Sequence, residues 1–413
     1  MTDTIVSELY RPTEDALTEV LKRGAEELLT KAVEAELARL LGDHRDLKVD
    51  GRSAVVRNGY LPERKVQTGI GDITIKVPKV RDRSGQGIKF NSALLPPYLK
   101  RTQALEEFIP WLYLKGISTG DMQPALEALL GEGAQGLSAN TVSRLKQQWE
   151  GEYTQWRQRD LSKRRYVYLW VDGIYSKVRM DDKLCLLVVI GADDTGRKEV
   201  LAIVDGYRES EQGWHEVLTQ LSARGLQVPP KLAIGDGALG FWNALTKHWP
   251  TTGQQRCWVH KTANVLNKVP KAVQPKLKEK LQDIWMADTR ENAYKAFNSC
   301  IEQFELKFPA AMQCLEKDKA EMLAFYDFPA EHWAHIRTTN PIESAFATIR
   351  LRTNKTKSCG SRKTTLAMTY KLAITAQKSW RKLRGFKKLA DIIQGIKFKD
   401  GEPIRQDQKR DAA

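Results

Sequence analysis

Between residues 166 and 259 the chain sets out an order of elements that few folds accept. A strongly apolar run, Tyr166-Val167-Tyr168-Leu169-Trp170-Val171, stops at Asp172. A second apolar run spans Leu184 to Ile190, the turn sequence Asp193-Asp194-Thr195-Gly196 follows, and a third run covers Glu199 to Val204. Short runs rich in β-branched and aromatic residues read as strands, and Asp-Thr-Gly chemistry reads as a hairpin turn. The period then switches, because Trp214, Val217, Leu218 and Leu221 recur at helical spacing from about Gln212 to Arg224. A fourth run, Leu232-Ala233-Ile234-Gly235, stops at Asp236. A helix is expected from about Leu239 to Lys247, and a fifth strand over Gln255 to Val259.

Three antiparallel strands, a crossover helix and further strand–helix units make the ribonuclease-H-like α/β topology. In that order the first strand is central and the fourth lies beside it, which brings Asp172 and Asp236 together. Val204-Asp205-Gly206 nearly duplicates Val171-Asp172-Gly173, so local sequence does not separate them. The third strand is an edge strand, and Asp205 is expected to be remote, a turn acid. The third acid of interest is Glu343, in a helical stretch that opens at Asn340-Pro341, with Asn340 as the expected cap and Pro341 in the first turn. Carboxylates at two strand ends and in a helix's first turn offer hard oxygen ligands to two Mg²⁺ (or Mn²⁺) ions acting on a phosphodiester. The plain alternative is that, with 51 Asp and Glu in the chain, some fall beside strands by chance.

The remaining segments divide by pattern. Residues 1–45 hold an amphipathic helix, expected over 13–41, capped by Thr13, stopped by Gly42, with Leu17, Val20, Leu21, Leu28, Leu29, Val33, Leu37, Leu40 and Leu41 on one face. Residues 46–100 form a basic β-hairpin region, Arg64 to Thr68 and Asp72 to Val77 flanking Gly69-Ile70-Gly71. Its Arg57, Arg64, Lys65, Lys76, Lys79, Arg81 and Arg83 suit phosphates or an ordinary solvated surface equally. Residues 101–155 read as helical, ending in a helix-turn-helix whose second helix begins after Ser138 and offers Asn140, Ser143, Arg144 and Lys146 to DNA. The core's first part is 160–261. Residues 262–335 form a helical insertion anchored by Trp285, Tyr294, Phe297, Phe304 and Phe308. Residues 336–395 hold the last catalytic helix and basic helices, and 396–413 a polar tail.

Charge points the same way. Lysine and arginine number 66 against 51 acids, a net charge of +15, which favours a polyanionic partner, with nucleic acid ahead of a membrane. Arg350, Arg352, Lys355 and Lys357 follow Glu343, and Arg350 lies two helical turns on along the same face. They either grip DNA strands or form a solvated basic face. Cys257-Trp258-Val259-His260, with His332 and His335, invites a zinc reading, but the long gap between the pairs disfavours it. Trp258 suits base stacking or, more commonly, core packing. Five scattered cysteines disfavour a disulfide framework. No run of signal-peptide or transmembrane type is present, so a cytoplasmic, nucleoid-associated protein is expected.

Thr338-Thr339-Asn340-Pro341-Ile342-Glu343-Ser344, with Phe346-Ala347-Thr348 and Arg350 after it, resembles the glutamate motif of the IS256 (Mutator-like) family of bacterial transposases. Val171-Asp172-Gly173, Gly235-Asp236-Gly237, Cys257-Trp258-Val259-His260, Arg57-Asn58-Gly59-Tyr60 and Val77-Pro78-Lys79-Val80-Arg81 are similar to its other motifs. The resemblance implies a DDE transposase, with Asp172, Asp236 and Glu343 as catalytic and metal-binding triad. It implies terminal inverted repeats and target DNA as partners, and a homodimer or higher oligomer on double-stranded DNA. In the wider group an aspartate can replace the cysteine of the Cys-x-x-His motif, which also argues against zinc. A DNA-binding regulator and a structure-specific nuclease on the same fold are the rival readings.

Overall fold

The computed structural model describes residues 16–117, 119–130, 134, 139–177, 183–206, 208–355 and 361–404. The chain divides into two compact units, one ending at Leu145 and the other beginning at Lys146.

In the first unit, helix α1 (Ala16–Asp43) buries Val33 and Leu37, whereas Leu17, Val20, Leu21 and Leu28 are exposed. The apolar stripe is therefore covered only along its C-terminal half, and the helix runs through Gly42 rather than stopping there. Thr13 lies outside the described residues. Strand β1 (Val55–Tyr60) pairs antiparallel with β4 (Pro78–Asp82), and β2 (Arg64–Thr68) with β3 (Gly71–Ile75). The β2–β3 turn needs Gly71, which sits at φ +101° in the left-handed region. Val66, Ile73, Ile75, Val77 and Leu95 pack with Val33 into a small core. Part of the basic surface is spent on structure. The Arg64 guanidinium donates to the carbonyls of Leu95, Pro96, Pro97 and Leu99 at 2.7–2.9 Å. Arg57 pairs with Glu34 and Lys76 with Glu63. Helices α2 (Gln103–Lys115) and α3 (Thr119–Leu130) follow. The expected recognition segment opens α4 (Ala139–Trp156). There Val142 is buried, Ser143 and Arg144 are exposed and Lys146 is half-buried. Ser138 and the Asn140 side chain lie outside the described residues.

The second unit is mixed α/β, built on one five-stranded sheet. Its strands are β5 (Tyr166–Lys177), β6 (Lys183–Asp193), β7 (Lys198–Gly206), β8 (Leu232–Gly235) and β9 (Gly253–Arg256), in the order β9-β8-β5-β6-β7. The pairs β5–β6 and β6–β7 are antiparallel, while β8 runs parallel to both β5 and β9. Strand β5 is buried on both faces, which explains its unbroken apolar sequence. Leu169 and Val171 join a core built with α5 (Glu211–Ala223) and α6 (Leu239–His248), through Trp214, Leu218, Phe241 and Trp242. Alternation sends Tyr168 and Trp170 to the other face. There the Tyr168 hydroxyl meets His332 Nδ1 at 2.8 Å and Trp170 Nε1 donates to the His335 carbonyl at 2.9 Å.

Strand β5 does not stop at Asp172 as expected but pairs with β6 as far as Lys177, so Asp172 lies within the strand and not at its end. Two other boundaries also differ from expectation. Strand β9 ends at Arg256, so Cys257 is not a strand residue. Its N–H donates to the Gly235 carbonyl at 2.7 Å, and Trp258 then opens α7 (Trp258–Leu266), its own N–H bonded to the Arg337 carbonyl. Helices α8 (Gln274–Met286), α9 (Arg290–Phe304) and α10 (Pro309–Glu316) continue the helical stretch. Two longer helices follow, α11 (Asn340–Lys355) and α12 (Arg362–Gln377), with α11 packed on β5 and α12 on β7. Asn340 is the first helical residue of α11 and not its cap. The Thr339 carbonyl accepts from Ile342 and Glu343 N–H at 2.9 and 3.1 Å and so holds the cap position. No helix among the described residues is long and apolar enough to cross a membrane.

Candidate active site

Register puts the two aspartates at one level. Ile234 of β8 pairs with Trp170 of β5, and Asp172 and Asp236 each follow two residues later, Asp236 just past the end of β8, near enough for the Asp236 charge to act on Asp172. Gly235 allows the approach, since a Cβ there would press on Val171 and Trp242. Asp236 is fixed from behind, its Oδ1 accepting from Ala238 N–H at 2.6 Å and its carbonyl from Trp242 Nε1 at 2.7 Å. Asp172 is 8% exposed. Burial pushes its carboxyl up to about 6; the Asp236 and Glu343 charges add to the rise, and His260 opposes it. Glu343 is thus within electrostatic reach of Asp172.

The Cys257–His260 pair belongs to this site. His260 Nε2 lies 3.5 Å from Glu343 Oε1. Thr339 ties the two elements together: its N–H donates to Cys257 Sγ at 3.2 Å, and its hydroxyl lies 3.3 Å from that sulfur and 3.5 Å from His260 Nδ1. A hydrogen bond with Cys257 raises His260 to about 9, against burial, and the charges of Asp172 and Asp236 add to the rise. This shift favours the protonated imidazole, a counter-charge among the acids.

Other sequence candidates fall elsewhere. Asp205 lies within edge strand β7 and pairs with Arg362 of α12 at 3.0 Å. Asp193 shapes its turn by accepting from Thr195 and Arg197 N–H. His332 is buried, with Nε2 3.0 Å from the Gly385 carbonyl as well as its Tyr168 contact. His335 accepts from Arg384 N–H, and burial lowers it to about 4. Both histidines therefore serve packing. Trp258 is 1% exposed and donates to the Met322 carbonyl, the core alternative of its two readings. Arg350, Arg352 and Lys355 lie on α11, with side chains outside the described set, and Lys357 lies outside the described residues.

One acid of the site escaped the sequence reading. Burial, then the charges of Asp236 and Asp172, push Glu209 up to about 7. In sequence it is only an acid ahead of a helix start, one residue before the cap Ser210. The glycines that admit it, Gly173 and Gly240, were the available signal.

The donor set fits a hard divalent cation. It consists of carboxylate oxygens that raise one another's proton affinity, with the His260 imidazole opposing that rise. Among the described residues no three His, Cys, Asp or Glu are gathered closely enough to hold an ion as they stand.

Comparison with known proteins adds lineage. Residues 3–382 match the family model described as "Transposase, Mutator family". The chain is 50% identical over 289 residues (68% of this chain, 96% of the relative) to the transposase for insertion sequence element IST2 of Acidithiobacillus ferrooxidans. It is 49% identical over 303 residues (73% and 93%) to that for IS6120 of Mycolicibacterium smegmatis. It is 29% identical over 300 residues (72% and 74%) to that for IS256 in transposon Tn4001 of Staphylococcus aureus.

Proposed function

Because the chain belongs to the Mutator family of transposases, we infer that it cuts DNA at the terminal inverted repeats of an insertion sequence and joins the ends to target DNA. Asp172, Asp236 and Glu343 are the reacting triad of this reading. The observation that carries it is the meeting of the two aspartates at one level of adjacent parallel strands, with Glu343 in electrostatic reach. The strand order β9-β8-β5-β6-β7 supports a ribonuclease-H-like assignment for the second unit.

Asp172, Asp236 and Glu343 would hold the divalent ions. Ions held there would supply Lewis acidity, which would lower the pKa of an attacking water or 3′-hydroxyl and offset charge on the departing oxygen. The protein's own part is placement. The sheet fixes Asp172 and Asp236, and α11 delivers Glu343. The Cys257–Thr339–His260 bridge locks the entry of that helix and sets the His260 imidazole beside its carboxylate. The basic excess of the chain supplies attraction for phosphates, which makes DNA binding steeply salt-dependent.

The test is strand transfer of a labelled duplex ending in the element's inverted repeat, with Mg²⁺ and a target plasmid. Joined product is expected. Cutting without joining would favour a nuclease, and binding alone a regulator.

A further inference from the structure

Beside the β8 end that carries Asp236 lies a buried arginine with too few partners for its burial. Arg256 ends β9 in register with Gly235 of β8, and paired residues of parallel neighbours point to one face. Gly235 puts no side chain on that face, and the tip of the Trp242 indole takes the space. The Arg256 guanidinium carbon stands 3.8 Å from the centre of the indole ring. Arg256 is 6% exposed, yet its Nε and Nη1 have no hydrogen-bond partner among the described residues. Asp318 Oδ1 lies 3.6 Å from Nε, an ion pair without a hydrogen bond.

Asp318 is already answered. The buried Lys261 ammonium bonds Asp318 Oδ2 and donates to the Cys314 carbonyl at 2.9 Å. One carboxylate is thus shared by two buried cations. A second buried cation with unsatisfied donors is costly to keep, and a methionine would pack on the indole without that cost. Stability gives no reason for an arginine here, but the ring does. Trp242 Nε1 donates to the Asp236 carbonyl at 2.7 Å. A flat guanidinium stacked on an indole away from water holds the plane of the ring, and with it the direction of that N–H.

We propose that Arg256 is a positioning residue for Asp236: it fixes the Trp242 indole that holds the Asp236 carbonyl, and through that backbone it sets where the carboxylate stands. This rests on Asp236 acting in DNA cleavage. Arg256 itself touches neither DNA nor ion in this role.

The experiment compares the full-length wild type with Arg256→Met, Trp242→Phe, the double variant, Asp236→Asn and the control Asp205→Asn. Without ions, the Trp242 indole N–H resonance of isotope-labelled protein is identified by its loss in Trp242→Phe. In Arg256→Met that resonance is expected to shift and to exchange with solvent about tenfold faster. Arg256→Met should melt no lower than wild type, which a merely structural arginine would not allow. With Mg²⁺ and saturating repeat-ended duplex, single-turnover cleavage should fall about tenfold or more in Arg256→Met and in Trp242→Phe, while DNA affinity stays within about threefold. The double variant should lose no more than Trp242→Phe alone, because the arginine acts through the ring. Asp205→Asn should cleave at close to the wild-type rate. If Asp236→Asn is inactive but Arg256→Met keeps the wild-type indole signal, melts lower, or multiplies its loss with that of Trp242→Phe, the role of Arg256 is overturned and the triad stands. If wild type does not cleave, or Asp236→Asn cleaves undiminished, both readings fall.

Discussion

The same three residues, Val-Asp-Gly, occur on central strand β5 and on edge strand β7, and their aspartates meet opposite fates. Asp172 is buried beside Asp236, with Glu343 and Glu209 near, and its proton is held up to about 6. Asp205 is half-buried and answered by Arg362 at 3.0 Å from the first turn of α12. Chemistry at an acid is thus set by what the sheet places next to it. A central strand collects like charges from several elements, whereas an edge strand leaves room for one long basic side chain from a covering helix.

The sharpest way to break this contrast is a pair of substitutions read in the strand-transfer assay. Asp172→Asn should lower cleavage about 10³-fold or more, as loss of a metal-holding carboxylate does, and Asp205→Asn should stay within about threefold. Equal losses in the two would remove the distinction.

Acidity offers the next test. A carboxyl whose folded pKa is raised takes up its proton more readily folded than unfolded, so ion-free stability is greatest below the unfolded value and declines as pH rises through the folded one. For Asp172 the window runs from 3.8 to about 6. Relative to Asp172→Asn, wild type should lose on the order of 2–3 kcal/mol across it, about 1.4 kcal/mol per pKa unit. Urea unfolding in chelator at pH 4.5 and 7 measures the difference, and Mg²⁺ at pH 7 should restore part of it. A parallel pair of pH profiles would contradict the mutual repulsion of the site.

Thr339→Val probes the bridge that distinguishes the active end. Its hydroxyl serves Cys257 and His260, so the variant should lose about 1–2 kcal/mol in chemical denaturation, the cost of stranding buried partners. Cleavage should fall more than binding, because Glu343 enters from the same turn. The smallest effect belongs to Arg362→Ala. Its partly exposed ion pair with Asp205 is worth about 0–1 kcal/mol, and a larger loss of stability would mean that the edge strand depends on α12 through this contact.

Much of the sheet was legible beforehand. Apolar runs ending in aspartate, the Asp-Thr-Gly turn and the helical spacing of Trp214, Val217, Leu218 and Leu221 reflect burial periods that a sequence displays directly. The end of β9 was not, because Cys257 and Trp258 are captured by Gly235 and Arg337, partners distant in the chain. The exposed half of the α1 stripe was equally hidden, since apolar spacing records a face without recording what covers it.

Local pattern alone determined the strands, the crossover helix and a short roster of acids, because side-chain periodicity and turn chemistry act between near neighbours. It left Asp172 and Asp205 indistinguishable, and element order separated them only as an inference. Tertiary structure decided which carboxylates share a charge field, that Thr339 rather than Asn340 caps α11, and that Glu209 enters over Gly173. Such outcomes depend on the vacancy left by a missing Cβ and on Coulomb interactions between segments far apart in the chain. Neither is written in any window of adjacent residues.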